Sequence, residues 1–266
     1  MNSYASDDVL KANIEVHKVE APYYDALHPE ERNFFERGRR RRALEAVRRA
    51  LGRRGRRPRA LDVACGTGKV SIMLAEAGFD VIAFDASLAM LRIARGKVRA
   101  MKLDVQPKLI CADLFSFLAG CPQEFDLIVF CGALHHVPDV PEALRLASSR
   151  LAGGGVMLIT HEPLKQTISS RLRYSFHRAI ARLDESLYRL RIRSLPAEAR
   201  CIDYSMSDFQ RRFGGIDPAA VASALNSNGL SVISIEKYCS RRFGVFCALA
   251  DVLVRSQNTF QIVARR

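Results

Sequence analysis

Residues 59–69 read Arg59-Ala60-Leu61-Asp62-Val63-Ala64-Cys65-Gly66-Thr67-Gly68-Lys69. An apolar run of strand length gives way to a glycine-bearing turn, and a helical pattern starts at about Lys69. Glycine lets such a turn bend tightly, and the N–H groups opening the helix carry partial positive charge, so a polar or anionic group is expected there. Working outward, further apolar runs at 81–84, 108–111 and 127–130 join 60–64 as buried parallel strands. Helical patterns at 69–77, 87–95 and 141–150 separate them, and a turn at Gly153-Gly154-Gly155 leads to a fifth strand at 156–160. This alternation predicts βαβ units and a doubly wound α/β sheet with right-handed crossovers.

After Pro163 the rhythm breaks. Apolar residues at 164, 168, 172, 176, 180, 183, 187 and 190 recur every three or four positions, which predicts one long amphipathic helix or two in tandem. Its other face carries Arg171, Arg173, Arg178, Arg182, Arg189 and Arg191. Alternation returns with a helix at 218–226 and strands at 230–236 and 259–264, bringing the mostly parallel sheet to seven strands.

The 266 residues carry 41 Lys+Arg against 28 Asp+Glu, a net charge of +13. Residues 37–59 alone hold 12 Arg and one acid, Glu45, so the rest of the chain is nearly neutral. This stretch begins as a helix with Ala43, Leu44, Val47 and Leu51 as its apolar stripe. It reads as a solvated basic face, with RNA or an acidic carrier protein as alternative partners. RNA-binding surfaces usually add stacking aromatics, and this segment has none. Seven cysteines, an odd number without a Cys-x-x-Cys pair, fit reduced thiols and a cytoplasmic protein. The polar N-terminus shows no signal-peptide pattern, and no apolar run approaches the ~20 residues of a transmembrane helix.

Asp85 ends the second strand 17 positions after Gly68, near the spacing at which an acid reaches a ribose diol; this suits NAD equally, although Ser71 stands where the third glycine of Gly-x-Gly-x-x-Gly would be. Asp113 ends the third strand, either as an acceptor for an exocyclic amine or as a helix N-cap.

Together these segments resemble the class I S-adenosylmethionine-dependent methyltransferases over roughly residues 20–163. LDVACGTG is similar to that family's first motif, with Ala64 in place of the usual first glycine. VIAFDAS resembles its ribose-binding segment, CADL its adenine-binding segment, and FDLIVFCGALHHVPD and LAGGGVMLIT its fourth and fifth strands. The resemblance implies a Rossmann-like core at 59–163, behind an N-terminal helical cap and Arg-rich segment at 1–58. A helical lid insertion follows at 164–215, and 216–266 complete the sheet. It implies S-adenosylmethionine as cofactor and Tyr24, Asp62, Ala64, Cys65, Gly66, Gly68, Asp85, Ala86, Asp113, Leu114 and Cys131 as its contacts. Tyr24 comes from Ala21-Pro22-Tyr23-Tyr24-Asp25, which resembles the family's Tyr-Asp element. His28-Pro29-Glu30 lies beside it, at the substrate mouth or in a solvated turn.

Methyl transfer needs alignment and, for many acceptors, a base; His135, His136, His161 and Glu162, at the ends of strands four and five, are the candidates. No metal-ligand spacing occurs, so no metal is expected. The expected function is methylation of a small-molecule acceptor on O, N or C. The rivals are an RNA methyltransferase using residues 37–59 and a non-catalytic cofactor-binding partner protein. For the helix after Pro163, a homodimer contact and a membrane-surface helix stay open beside the lid.

Overall fold

The computed structural model describes residues 6–52, 55–164, 170–251 and 255–266. Arg53 and Arg54 of the basic stretch and the start of the insertion, 165–169, lie outside these. From the N-terminus run α1 (Ser6–Glu20), α2 (Tyr24–Leu27) and α3 (Phe34–Leu51). The alternating core follows as β1 (Arg59–Val63), α4 (Lys69–Glu76), β2 (Asp80–Asp85), α5 (Leu88–Ala100), β3 (Lys108–Cys111), α6 (Leu114–Gly120), β4 (Phe125–Cys131), α7 (Val140–Ser149) and β5 (Leu151–Pro163). The insertion carries α8 (Arg171–Arg191) and α9 (Ala197–Arg200). Then come α10 (Pro218–Ser227), β6 (Ser231–Tyr238), α11 (Gly244–Leu249) and β7 (Thr259–Arg265).

The seven strands are ordered β3-β2-β1-β4-β5-β7-β6. All pairings from β3 to β5 are parallel, and only β7 runs antiparallel to its neighbours. Successive side chains of a strand point to opposite faces, so β4 sends Leu127 and Val129 one way and Ile128 and Phe130 the other. The first pair packs with Val70 and Leu74 of α4 and with Ala43, Leu44, Val47 and Leu51 of α3; the second packs with Leu144 of α7 and Leu225 of α10. The expected stripe of α3 is therefore real, and it makes this helix a layer of the core. Among the described residues of this N-terminal part, α1 lies over the sheet edge while α3 packs into the core.

Local chemistry sets the helix starts. Asn33, Ser87, Asp113, Asp139 and Asp217 each accept a backbone N–H as N-caps of α3, α5, α6, α7 and α10. The glycine run at 153–155 does not form the expected turn before a strand. It lies within β5, where Phe125 pairs with Leu151 but Leu127 with Val156, so the run is absorbed as an irregularity in the ladder.

Much of the basic stretch is engaged internally. Arg39, 8 % exposed, sits between the Phe35 and Tyr238 rings and pairs with Glu236 and Asp251. Arg40 donates to the Glu31 carbonyl and Arg48 to that of Ala77. Arg56 grips the buried Asp126 carboxylate with both guanidinium arms, at 2.7 and 3.1 Å. A purely solvated face is thus corrected for the buried Arg39 and Arg40, whereas Arg48 and Arg56 stay exposed beside their partners. Among the described residues, no helix is long and apolar enough to cross a membrane.

Candidate active site

At the C-terminal edge of the sheet, where open α/β folds bind ligands, two cavities meet. The larger, about 410 Å³, is lined by Asp85, Ala86, Asp113, Leu114 and Phe115 and roofed by Leu10, Asn13 and Ile14 of α1. The smaller, about 70 Å³, is lined by Tyr24, Glu31, Arg40, Asp62, Cys65, Gly66, Lys69 and Cys131. His17, Ala64, Asp85 and His136 line both and mark the junction.

Ten of the eleven expected cofactor contacts line one cavity or the other. Gly68 lines neither. Its φ is +77°, and a Cβ there would come within 2.9 Å of the Ala94 Cβ, so this glycine serves a left-handed bend and the close approach of α5. Ala64 has a φ of 52°, keeping a glycine-like bend although a side chain is present.

Asp85 is 6 % exposed, and both of its oxygens are engaged: Gly66 N–H donates to one and Ser87 N–H to the other, each at 2.8 Å. The carboxylate therefore ties the first motif to the turn after β2 while facing both cavities. Asp113 does both things expected of it as alternatives. It caps α6 through Ser116 N–H at 3.0 Å and also lines the larger cavity. Burial opposes its charge, but hydrogen bonds from Ser116 and nearby backbone outweigh this and hold its carboxyl below the usual range. Asp62 behaves oppositely. Burial pushes it up to about 7, against the hydrogen bond from Ser71 Oγ at 2.5 Å.

The candidate bases separate sharply. His136 lines both cavities, and its Nδ1 donates to the Ser207 carbonyl at 2.9 Å, leaving Nε2 as the acceptor in the neutral ring. His135, Glu162 and His161 line neither cavity. Glu162, fully buried, accepts the N–H groups of Ala133, Leu134 and His135 at 2.7, 2.9 and 3.1 Å and meets His135 Nδ1 at 3.0 Å. This pair shapes the turn after β4. Burial pushes Glu162 up and His135 well down, favouring the neutral ring. His161, with a φ of 60°, sits at a break in the β5–β7 register and faces Glu36 at 3.5 Å, which raises its affinity for a proton despite burial.

His17 is the site residue the sequence reading lacks. Burial, and secondarily His136 across a 5.3 Å ring separation, lower it to about 4. Val9, Asn13 and His17, four residues apart, form the inner stripe of α1, but a polar stripe in a hydrophilic segment looks like solvated surface. Tyr24 donates to Glu31 at 2.9 Å and stacks near His28, which is clamped by Glu20 and Glu30. Burial works against the His28 proton, but the two carboxylates hold it well above the ordinary histidine range.

From the insertion, the residues reaching this region come after α8. The Tyr204 hydroxyl donates to Glu20 at 2.9 Å, and the Gln210 amide donates to the carbonyl of Val137 at 2.7 Å. Neither α8 nor residues 204–210 line either cavity; the later segment touches the site only through these contacts to Glu20 and Val137.

A family described as a methyltransferase domain matches residues 35–235, most of the chain. The chain belongs to the methyltransferase domain family. The chain is 36 % identical over 104 residues to YqeM of Bacillus subtilis, which carries a methyltransferase name, covering 38 % of this chain and 40 % of that protein. It is also 36 % identical over 104 residues to the ubiquinone biosynthesis O-methyltransferase of Methylococcus capsulatus, covering 38 % and 43 %. The matches thus span about two fifths of these relatives. Among solved structures, the N-methyltransferase NodS from Bradyrhizobium japonicum, in complex with S-adenosyl-L-homocysteine, superposes with a TM-score of 0.59 at 15 % identity, over 96 % of this chain and 98 % of that one. A methyltransferase from Archaeoglobus fulgidus gives 0.57 at 17 % identity, over 92 % and 100 %. Both establish the shared fold.

Proposed function

We propose that this methyltransferase binds S-adenosylmethionine across the two cavities and transfers its methyl group to a small-molecule acceptor. One observation carries the reading: Asp85 lies at the junction of a large, mostly apolar cavity lined by Asp113 and a small one lined by the charged side chains of Asp62, Arg40, Lys69 and Glu31. A nucleoside with an amino-acid tail has this sequence of chemistries. Ala86, Asp113 and Leu114 would take the base and Asp85 the ribose diol. The turn at Ala64, Cys65 and Gly66 would take the tail, with Cys131 and Tyr24 beside it. Arg40 and Lys69 supply cations for its carboxylate, and Asp62 an acceptor for its ammonium group.

When bound, the cofactor supplies a methyl group made electrophilic by its sulfonium. The protein's part is alignment and proton removal. At the junction His136 offers Nε2 as proton acceptor, and its Nδ1–H···O bond to Ser207 holds the ring in place. His17, lowered to about 4, is neutral at physiological pH and leaves the cavity wall without a competing cation. His135, Glu162 and His161 act through backbone positioning. The O-methyltransferase names of relatives favour an oxygen acceptor. A small-molecule acceptor is favoured over RNA because Arg39 and Arg40 of the basic stretch are buried in the fold and the stretch holds no stacking aromatic.

Calorimetric titration with S-adenosylhomocysteine tests the first half, and transfer of labelled methyl from S-adenosylmethionine to low-mass cell extract tests the second. Absence of S-adenosylhomocysteine binding overturns the reading.

A further inference from the structure

The 21-residue α8 helix presents its apolar stripe to solvent. Leu172, Phe176, Leu183, Leu187 and Leu190 are 69, 56, 58, 46 and 63 % exposed. At 100° per residue these five fall within about 60° of one another, a continuous ridge along the helix. Single exposed leucines are ordinary on protein surfaces; an aligned row of five bulky ones is not.

A different face holds the helix to the protein. Phe243 N–H donates to Asp184, His177 meets Ser256 Oγ at 2.6 Å, and Tyr188 lies under the Arg242 guanidinium at 3.9 Å. Helical geometry puts Arg171, Arg178, Arg182 and Arg189 on one side of the ridge and Arg173 and Arg191 on the other, all six exposed. The helix has only Asp184 and Glu185 as acids; both face Arg242, and Glu185 also pairs with Arg189 at 2.9 Å, leaving, among the described residues, five of the six arginines without an acid on their own helix. Next to this anchor, α11 adds exposed Val245 and Leu249, and Phe34 packs against Gly244 with 64 % of its surface open.

We propose that α8 is a docking surface for an anionic lipid bilayer. Its ridge would enter the boundary of the acyl chains while the arginines spread to lipid phosphates on either side, their aliphatic stems covering the ridge edges. Charge complementarity selects this occupant. Pairing the ridge with that of a second copy would set six arginines beside six arginines. An anionic surface neutralises them instead. The inference is independent of the methyl-transfer reading.

The test is co-sedimentation of the full chain with vesicles of phosphatidylcholine alone and of phosphatidylcholine with phosphatidylglycerol. Binding is expected only to the mixed vesicles and should weaken as salt is raised. The Leu183→Asp/Leu187→Asp variant should lose more than about tenfold in partitioning, since both side chains leave lipid. Arg178→Ala/Arg182→Ala should lose about thirtyfold, as ~1 kcal/mol per basic residue implies. All four positions are exposed, so circular dichroism and S-adenosylhomocysteine affinity should match the wild type. Equal binding to both vesicle types, binding to neither, or variants that sediment like the wild type would overturn the proposal. So would sedimentation velocity showing a dimer that the leucine variant dissociates, because the ridge would then be a self-association face.

Discussion

Replacing Asp85 with Asn changes one atom's identity at the junction of the two cavities, and its consequences can be counted. The carboxylate has about four acceptor sites, of which Gly66 N–H and Ser87 N–H each use one at 2.8 Å. Two acceptor sites remain for a ribose diol. Asparagine keeps one oxygen and turns an amide donor toward one of the two backbone donors, so the variant loses a charge-assisted bond within the protein and a second to the ligand. Each such bond is worth ~1.5–3 kcal/mol. The dissociation constant for S-adenosylhomocysteine should therefore rise about 10- to 150-fold, with a parallel loss of folding stability of similar size. The two backbone bonds are the source of the cost to the fold. Titration calorimetry and thermal unfolding on the same samples measure both. The 2′,3′-dideoxy analogue isolates the ligand term: it should bind the wild type weakly and the two proteins almost alike. If the substitution weakens the dideoxy analogue as much as the parent ligand, Asp85 does not hold the diol and the site assignment fails.

Because burial places Asp62 at about 7, S-adenosylhomocysteine affinity should fall as pH drops below 7, by at most about tenfold per unit. An ammonium group favours the ionised carboxylate, which fixes that sign, and Asp62→Asn should abolish the slope in calorimetry. The folded state holds this proton more tightly than the unfolded chain, so Asp62 lowers stability as pH rises from about 4 to 7, and Asp62→Asn should raise the melting temperature at pH 8. Arg39→Ala should cost ~1–3 kcal/mol in urea unfolding, chiefly through lost packing against the Phe35 and Tyr238 rings because partly exposed Glu236 and Asp251 stay solvated, whereas exposed Arg42→Ala should stay within about 0.5 kcal/mol. Equal effects would contradict the structural role assigned to Arg39. Glu162→Gln should destabilise by ~2–4 kcal/mol, since an amide cannot accept all the N–H groups that converge on the carboxylate; an unchanged melting temperature would refute its role in the turn after β4.

The local layers of this protein are written in its sequence. Apolar runs near strand length, glycines at the first turn and acids at strand ends depend on nearest neighbours, which is why the seven strands are legible at once, while the ten cavity-lining cofactor candidates come from the family resemblance of those segments. Which arginines are solvated is not a local property. Arg39 and Arg42 are identical in type and three positions apart, yet only folding brings Phe35, Tyr238, Glu236 and Asp251 around the first. His17 and His136 belong to segments more than a hundred residues apart, and only the closure of α1 over the sheet edge puts their rings together. Strand alternation sends His161 and Glu162 to different neighbours, but that these are Glu36 and the turn after β4 is settled only in the fold. The amphipathic pattern of α8 identifies a ridge, but the sign of its exposure comes from the far face being held by Phe243, Ser256 and Arg242. Sequence thus determines which groups are available and how they repeat; the tertiary structure decides which of them meet, since burial and pairing are set by chain segments that have no local influence on one another.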